Sequence, residues 1–301
     1  MKVPITRPWF DDQEASAVAA VLESGWVSQG PRVEEFEATF AAYVGARYAV
    51  ATSSCTTALH LALIAGGVRP GDEVLVPTFT FVATANAVEY CGARPVFVDV
   101  DLETFNIDPA LIEAKITART RAIIPVHLFG LPADMDPILE IAERHALVVI
   151  EDAACGVGSR YHDRHVGTVG LAGCFSFHPR KIITTGEGGM LVTDDAALAA
   201  RVRSLRSHGA EVSDLERHAG NGTRLPAFSE VGFNYRMTDV QAAIGLAQMA
   251  KLEGVLDSRS ELARRYDAAL QGVPGLRIPR VPPEWSTLTS PTWYLSRQMQ
   301  P

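Results

Sequence analysis

The chain has 301 residues, with 27 lysine and arginine residues against 35 aspartate and glutamate residues, and a net charge of -8. This acidic balance argues against a nucleic-acid partner, which would require a basic face. No apolar run is long enough to span a bilayer, and the first residues lead into no signal-peptide core, so we expect a cytoplasmic protein without a membrane partner.

The amino-terminal part predicts two helices. Asp11 and Glu14 match the capping-box pattern at the start of the first helix, and Gly25 ends that helix. The second helix covers residues 33–44 and carries aromatic side chains three and four residues apart, which share one face and which we interpret as core contacts. These aromatic residues are Phe36, Phe40 and Tyr43.

From residue 47 onward, short apolar strands alternate with helices. The strands are rich in β-branched residues and apolar on both faces, a pattern typical of a mainly parallel sheet sandwiched by helices, and hence of an α/β fold. The predicted strands cover residues 48–51, 73–76, 95–98, 122–126, 147–150, 174–177 and 190–193. The predicted helices cover residues 58–65, 80–90, 109–115, 136–144, 195–207, 240–249 and 258–270. Residues 210–230 are polar and glycine-rich, and we expect a mobile loop there.

Ligands of such sheets bind beyond the carboxyl ends of the strands, so the residues that follow each strand are informative. Residues 52–57 place several hydroxyl groups at a helix start, which predicts either a phosphate cradle or simple N-capping. Residues 77–81 bring aromatic side chains to the same edge. Glu151 and Asp152 end a buried strand, where an acid is either an ion-pair partner or a functional carboxylate.

Lys181 lies between two predicted core strands and is followed by a glycine-rich turn. An ammonium group taken out of water tends to have a lowered pKa, and a neutral amine is the nucleophile that forms Schiff bases with carbonyl groups. The alternative is a loop lysine with its amine in water. Lysine, carboxylate, aromatic residue and phosphate cradle together are what pyridoxal phosphate requires, so the sequence predicts that cofactor.

The four cysteines are scattered and form no pair two residues apart. This spacing favours free thiols in a reducing compartment over a disulfide framework or a zinc site, and we expect no metal. We interpret each cysteine as a small buried residue. They are Cys55, Cys91, Cys155 and Cys174.

The sequence resembles the DegT/DnrJ/EryC1/StrS family of sugar aminotransferases, which use pyridoxal phosphate on the aspartate-aminotransferase-like fold type I. The resemblance covers nearly the whole chain, and among its carriers are the motifs Phe-Ser-Phe-His-Pro-Arg-Lys, ending at Lys181, and Gly-Phe-Asn-Tyr-Arg-Met, starting at Gly232. The other carriers lie in residues 25–31, 54–61, 76–84, 95–101, 124–127, 150–154 and 186–189. The most similar group, which includes perosamine-synthase-like enzymes, aminates the 4-keto carbon of nucleotide-linked 6-deoxyhexoses.

The resemblance implies a role for each candidate residue. Lys181 would hold the cofactor as a Schiff base and move a proton between the cofactor and the sugar carbon. Asp152 would pair with the pyridine nitrogen, and Phe81 would stack on the ring. Asn234 would reach the phosphate of the neighbouring subunit, which implies a homodimer. Further cofactor contacts would come from Cys55, Thr56, Cys155 and Ser176. The sugar-nucleotide cleft would be lined by segments containing Trp26, His178, His208 and Arg236.

The activity implied by the resemblance is transamination, with glutamate as donor and a nucleotide-linked keto sugar as acceptor. Two alternatives stay open: a pyridoxal-phosphate-dependent sugar dehydratase, although those relatives carry histidine in place of the lysine, and a non-catalytic cofactor- or sugar-binding relative. The resemblance also implies a large domain over residues 1–250 and a small carboxyl-terminal α+β domain that begins at residue 251. Because family members continue further, we expect that small domain to be incomplete here and turnover to be poor.

Overall fold

The computed structural model describes residues 6–212, 227–277, 281, 285–286 and 295–296. Most of the predicted mobile loop, and most of the predicted small domain beyond residue 277, lie outside the described residues. No helix in the described part of the chain is both long and apolar enough to cross a membrane.

The centre of the structure is a mixed sheet that has seven strands within the described residues. Its strands, in chain order, are β1 (Tyr48–Thr52), β2 (Glu73–Pro77), β3 (Arg94–Val98), β4 (Thr120–Ile123), β5 (Val148–Asp152), β8 (Ala172–Ser176) and β9 (Gly189–Thr193). Their spatial order is β1-β9-β8-β5-β4-β2-β3, and only β9 runs antiparallel to its neighbours. The prediction of a mainly parallel sheet is therefore confirmed.

Short two-residue strands lie outside this sheet. They are β6 (Arg160–Tyr161), β7 (Arg164–His165), β10 (Leu276–Arg277), β11 (Trp285–Ser286) and β12 (Leu295–Ser296). Strand β11 pairs with β6, and β10 pairs with β12.

Helices cover both faces of the large sheet. The described helices are α1 (Asp12–Ser24), α2 (Pro31–Val44), α3 (Cys55–Ala65), α4 (Ala83–Tyr90), α5 (Met135–Arg144), α6 (Ala196–Leu205), α7 (Asp239–Ala250) and α8 (Leu252–Leu270). Helices α2, α5, α7 and α8 contribute to the core on one face, and α3, α4 and α6 to the core on the other. Strand β9 shows why both faces are apolar: Met190 and Val192 enter the first core, and Leu191 enters the second.

The aromatic residues of α2 pack as the sequence predicts. Phe36 lies with its ring centroid 5.1 Å from that of Phe177, and Phe40 lies 5.0 Å from Phe175. Both α2 residues are fully buried, whereas Tyr43 is half-buried against the same core. The capping box of α1 is also present: the Asp11 and Glu14 side chains each accept a hydrogen bond from a backbone N–H group at the start of the helix.

The predicted helix over residues 109–115 is wrong. The chain forms two separate 3₁₀ turns there, Pro109–Leu111 and Glu113–Lys115. Asp108 caps the first turn, and Ile116 is already extended. A stretch this short cannot form several α-helical hydrogen bonds, whereas short 3₁₀ turns are common connectors.

The start of β9 packs directly on the start of α3. A Cβ atom placed on Gly189 would overlap the backbone of Ser54 and Cys55. The absence of a side chain at Gly189 therefore lets the first turn of α3 sit against the sheet.

A buried carboxylate fastens the opposite edge of the sheet. Glu73, at the start of β2, is fully buried and accepts hydrogen bonds from Thr117 Oγ1 at 2.7 Å, Arg94 Nη2 at 2.6 Å and Arg119 Nη2 at 2.7 Å. The hydrogen bond from Thr117 and the one from Arg94 are the main causes that lower the pKa of Glu73 from 4.5 to about 2.

We expect Gly189→Ala to destabilise the protein by about 1–3 kcal/mol, the usual range for forcing extra atoms into a packed site. The matched control is Gly254→Ala in α8, where a Cβ meets open space. This control should leave stability unchanged or raise it by about 0.5–1 kcal/mol, since alanine is favoured over glycine inside a helix. Urea unfolding of the three proteins tests the prediction, and equal stability of the two variants would contradict it.

We expect Glu73→Gln to reduce the dependence of stability on pH. Because the folded-state pKa of Glu73 is lowered, its stabilisation is fully present above about pH 4.5 and is lost as the pH falls toward about 2. Urea unfolding at several pH values in this range should show a shallower dependence for Glu73→Gln than for the unmodified protein. Glu23→Gln, at an exposed position of α1, should keep the full dependence; parallel curves for all three proteins would contradict the prediction.

Candidate active site

The two acids that end β5 have different environments. Glu151 is fully buried, and its carboxylate accepts hydrogen bonds from the backbone N–H groups of Gly167, Val169 and Gly170, each at 2.7 Å. His127 Nε2 lies 2.9 Å from the same carboxylate. Burial alone would raise the pKa of Glu151, but the neighbouring imidazole and these hydrogen bonds lower it below its ordinary value. Glu151 is therefore a structural anchor rather than a site residue.

Asp152 lies at the edge of the sheet where the candidate residues meet. Its carboxylate is 5% exposed and accepts hydrogen bonds from Thr84 Oγ1 at 2.8 Å and from the Ala154 N–H group at 3.2 Å. Thr84 is itself fully buried, and its hydroxyl lies 2.9 Å from that of Thr80. The hydroxyl of Thr84 in α4, which also contacts that of Thr80, thus orients a carboxylate that comes from β5. The sequence analysis missed Thr84; the only signal for it was its place in the carrier segment 76–84.

The start of α3 shows the predicted N-capping and carries the backbone N–H groups that a phosphate cradle would use. Ser54 is the N-cap residue, and its hydroxyl accepts a hydrogen bond from the Thr57 N–H group at 3.2 Å. The first two N–H groups of the helix, those of Cys55 and Thr56, precede the first intrahelical hydrogen bonds and are available to an anion. Capping and anion binding are therefore compatible here: the side chain of Ser54 serves the first, and the backbone can serve the second.

Lys181 follows β8 and reaches back to the sheet edge. Its Nζ atom donates a hydrogen bond to Cys155 Sγ at 3.1 Å, and Asp152 and Cys55 lie close enough to act on its charge. Burial lowers the pKa of Lys181, but Cys155, Asp152 and Cys55 raise it, and the resulting pKa lies above the ordinary lysine value. The expected lowered pKa is therefore wrong, because the sequence argument considered burial without these neighbouring side chains.

Cys155 departs from the prediction that every cysteine is a small buried residue. The side chains of Cys55, Cys91 and Cys174 are at most 8% exposed, and burial raises the pKa of each thiol. Cys155 is only half-buried and contacts Lys181.

Arg259 of α8 is a second cation at this site. Its Nη2 atom lies 3.4 Å from the backbone carbonyl oxygen of Lys181, and burial lowers the pKa of its guanidinium group. The sequence offered no signal for this residue, since it lies 78 positions beyond Lys181 in a helix whose pattern predicts only an amphipathic surface.

The loop that carries Trp26 is fixed by Asp239, the first residue of α7. The Asp239 carboxylate accepts hydrogen bonds from the N–H groups of Gly30, Arg32 and Val33 at 2.8–3.1 Å. Trp26 is half-buried, and its indole Nε1 donates to the carbonyl oxygen of Gln29 at 3.0 Å. Trp26 thus has a defined position, set by a carboxylate more than 200 residues away in the chain.

The segment that contains Asn234 lies beside the cradle of its own chain. The Ser53 N–H group donates to the carbonyl oxygen of Tyr235 at 2.8 Å, and Asn234 forms a β-bridge with Ser207. The side chains of Asn234 and His208 are exposed. Asn234 is therefore closer to the cradle than its distance along the sequence suggests, although its side chain has no described contact with a site residue.

The remaining candidates surround this group. Ser176 ends β8 and is buried, whereas Phe81 is 77% exposed just before α4. His178 is half-buried, with its Nε2 atom 4.0 Å from Glu187. Arg236 is half-buried, and no described contact brings it to Lys181. The structure thus brings together Asp152, Lys181, Cys55 and Cys155, and leaves Trp26, Phe81, His208 and Arg236 on surrounding segments.

The grouped residues fit pyridoxal phosphate. An anion can bind the free N–H groups at the start of α3, and an amine and a carboxylate lie near each other at the same edge of the sheet. The Asp152 carboxylate has an orientation fixed by Thr84, as expected for a group that must face a ring nitrogen.

Comparison with known proteins supports this interpretation. Residues 8–299 match the model of the DegT/DnrJ/EryC1/StrS aminotransferase family. The spore coat polysaccharide biosynthesis protein SpsC of Bacillus subtilis is 47% identical over 93% of this chain and 72% of its own length. The GDP-perosamine synthase of Caulobacter vibrioides is 48% identical over 89% of this chain and 70% of its own length.

A solved structure of DesV from S. venezuelae, in complex with a ketimine intermediate, superposes with a TM-score of 0.85 at 40% identity. It covers 92% of this chain, which covers 72% of DesV. These similarities confirm the predicted aminotransferase fold. With a family match over nearly its whole length, the chain belongs to the DegT/DnrJ/EryC1/StrS aminotransferase family.

Proposed function

We propose that this protein transfers an amino group from glutamate to the keto carbon of a nucleotide-linked sugar, a 4-keto-6-deoxyhexose, with pyridoxal phosphate as cofactor. The observation that carries the proposal is the meeting of Lys181 and Asp152 at one edge of the sheet, next to the start of α3. Family membership supports amino transfer, and the similarity to a GDP-perosamine synthase supports this acceptor.

Different residues of this chain bind different parts of the cofactor. The N–H groups of Cys55 and Thr56 bind the cofactor's phosphate, helped by the positive end of the helix dipole. The carboxylate of Asp152, held by Thr84, pairs with the ring nitrogen and favours its protonated form. When bound, pyridoxal phosphate supplies an electron-accepting ring.

Lys181 has two tasks, to hold the cofactor and to move a proton at the reacting carbon. Because its pKa is raised, the amine must first lose a proton before it can act as a nucleophile. The hydrogen bond to Cys155 Sγ, 3.1 Å from Nζ, holds the lysine head group in place beside Asp152. We therefore assign Cys155 to the cofactor-facing wall, as the resemblance implies, with this additional contact to the lysine.

The proposed partner is a second copy of the chain. Asn234 is exposed beside the cradle, so its amide is free to face a neighbouring subunit, and Phe81 is exposed at the same side of the sheet. A two-fold symmetric dimer would place each Asn234 near the cradle of the other subunit.

Borohydride reduction of the protein incubated with pyridoxal phosphate should fix the cofactor irreversibly on Lys181. The chain has three other lysines, Lys2, Lys115 and Lys251, so peptide mapping is unambiguous. Lys181→Ala should take up no label and should not transaminate. The control Lys115→Ala, at an exposed position, should label and react normally. A label on another lysine, or full transamination by Lys181→Ala, would contradict both the site and the activity.

Asp152→Asn should still bind pyridoxal phosphate but should slow the reaction with glutamate by about 10²-fold or more, since it removes a charge from the reacting centre. Thr84→Val, which loses the hydrogen bond to Asp152, should give a smaller decrease, and Thr84→Ser should restore most of the rate. Single-turnover absorbance measurements with glutamate test this order. An unchanged rate in Asp152→Asn would show that this carboxylate is only structural.

Asn234→Ala should remain a dimer but lose pyridoxal phosphate more readily, because one phosphate contact from the partner is removed. Light scattering gives the oligomeric state, and dialysis followed by cofactor absorbance gives the retention. Gln13→Ala, at an exposed position of α1, serves as the control. A monomeric protein that retains the cofactor normally would rule out a shared site.

A further inference from the structure

Cys155 and Lys181 form a close pair of reactive groups. Cys155 Sγ accepts a hydrogen bond from Lys181 Nζ at 3.1 Å. A small movement of the two side chains would bring sulfur and nitrogen to bonding distance. Cys155 is half-buried, so a small oxidant can reach it, whereas the other three cysteines are at most 8% exposed.

Two cationic side chains lie near Cys155. Lys181 is one cation beside it, and the guanidinium group of Arg259 is close enough to interact with it electrostatically. Asp152 is a carboxylate in the same group, and Cys55 is a buried thiol there whose pKa is raised by burial. Partly exposed cysteines beside cationic side chains are those that peroxides oxidise selectively.

We propose that Cys155 and Lys181 form an oxidative modification site, in which a peroxide leads to a covalent sulfur–nitrogen bond between the two side chains. The site takes hydrogen peroxide as oxidant, and a thiol reductant reverses the modification.

The chemistry proceeds in two balanced steps. In the first step, hydrogen peroxide oxidises the Cys155 thiol by two electrons to a sulfenic acid, and its O–O bond breaks to release one water. In the second step, the Lys181 ammonium group loses one proton to solvent, the resulting amine attacks the sulfur, and the S–O bond breaks. The hydroxyl group leaves as water with a second proton from the nitrogen, and no further oxidant is needed. Sulfenic acids condense with backbone nitrogen in the same manner.

The bond would remove the amine on which the proposed function depends. The effect on activity therefore rests on the proposed function, whereas the formation of the cross-link does not. Oxidation would then inactivate the protein reversibly. A lysine already engaged with the cofactor is not available to the sulfur, so bound pyridoxal phosphate should protect the pair.

The test treats the whole 301-residue chain with hydrogen peroxide and maps the digest by tandem mass spectrometry. The expected product joins the peptides that contain Cys155 and Lys181, with two hydrogens fewer than their sum, and disappears after dithiothreitol. Cys155→Ser should abolish the product. Lys181→Met should leave a sulfenic acid on Cys155 that dimedone traps. The matched control is Cys91→Ser, which should form the product normally. The serine hydroxyl can keep the hydrogen bond that Cys91 donates to the Ala87 carbonyl oxygen.

Three results would overturn the proposal: a disulfide between Cys55 and Cys155 in place of the cross-link, oxidation of Cys155 that never involves Lys181, or the same cross-linked mass in Cys155→Ser. A parallel sample with pyridoxal phosphate separates the two proposals. Protection by the cofactor supports both. A cross-link that forms equally fast with the cofactor present keeps the modification site and removes Lys181 from the cofactor site.

Discussion

The buried carboxylate of Glu151 is the constraint on which the site depends. A charge removed from water destabilises the fold by several kcal/mol unless its hydrogen bonds are replaced. Here the backbone N–H groups of residues 167–170 and the imidazole of His127 replace them. The Ala133 N–H group donates to His127 Nδ1, so the proton lies on Nε2 and is donated to Glu151. One carboxylate thereby holds two connecting segments, residues 127–133 and 167–170, against the end of β5.

This anchor also determines where Asp152 points. Adjacent residues of a strand project to opposite faces of the sheet, so fixing Glu151 on one side places Asp152 on the other. Thr84 then sets the rotation of the Asp152 carboxylate. Two further residues fix neighbouring segments: Gly189 lets α3 sit on the sheet, and Asp239 fixes the loop of Trp26. Rigid groups outside the reacting centre thus position the groups within it.

The sequence predicted what depends on local pattern and motif. The alternating strands, the capping of α1, the acid after β5 and the lysine after β8 could be identified because each has a signal within a few residues. Thr84 and Arg259 could not be identified, because their importance comes from contacts with Asp152 and Lys181 that are distant in sequence. The direction of the Lys181 pKa was wrong for a related reason: burial can be inferred from neighbouring residues, whereas nearby charges depend on the folded chain.

The reversed strand β9 has a consequence for how the protein folds. It lies between β1 and β8 and pairs Tyr48 with Thr193. Most of the sequence that forms the large sheet lies between these two residues. The cradle follows β1, and Lys181 precedes β9, so the two halves of the site cannot meet until this non-local pairing has formed. Such pairings are slow, because closing a long loop precedes the contacts that stabilise it. A chain emerging from the ribosome therefore cannot bring Lys181 to the start of α3 until residue 193 is free to enter the sheet.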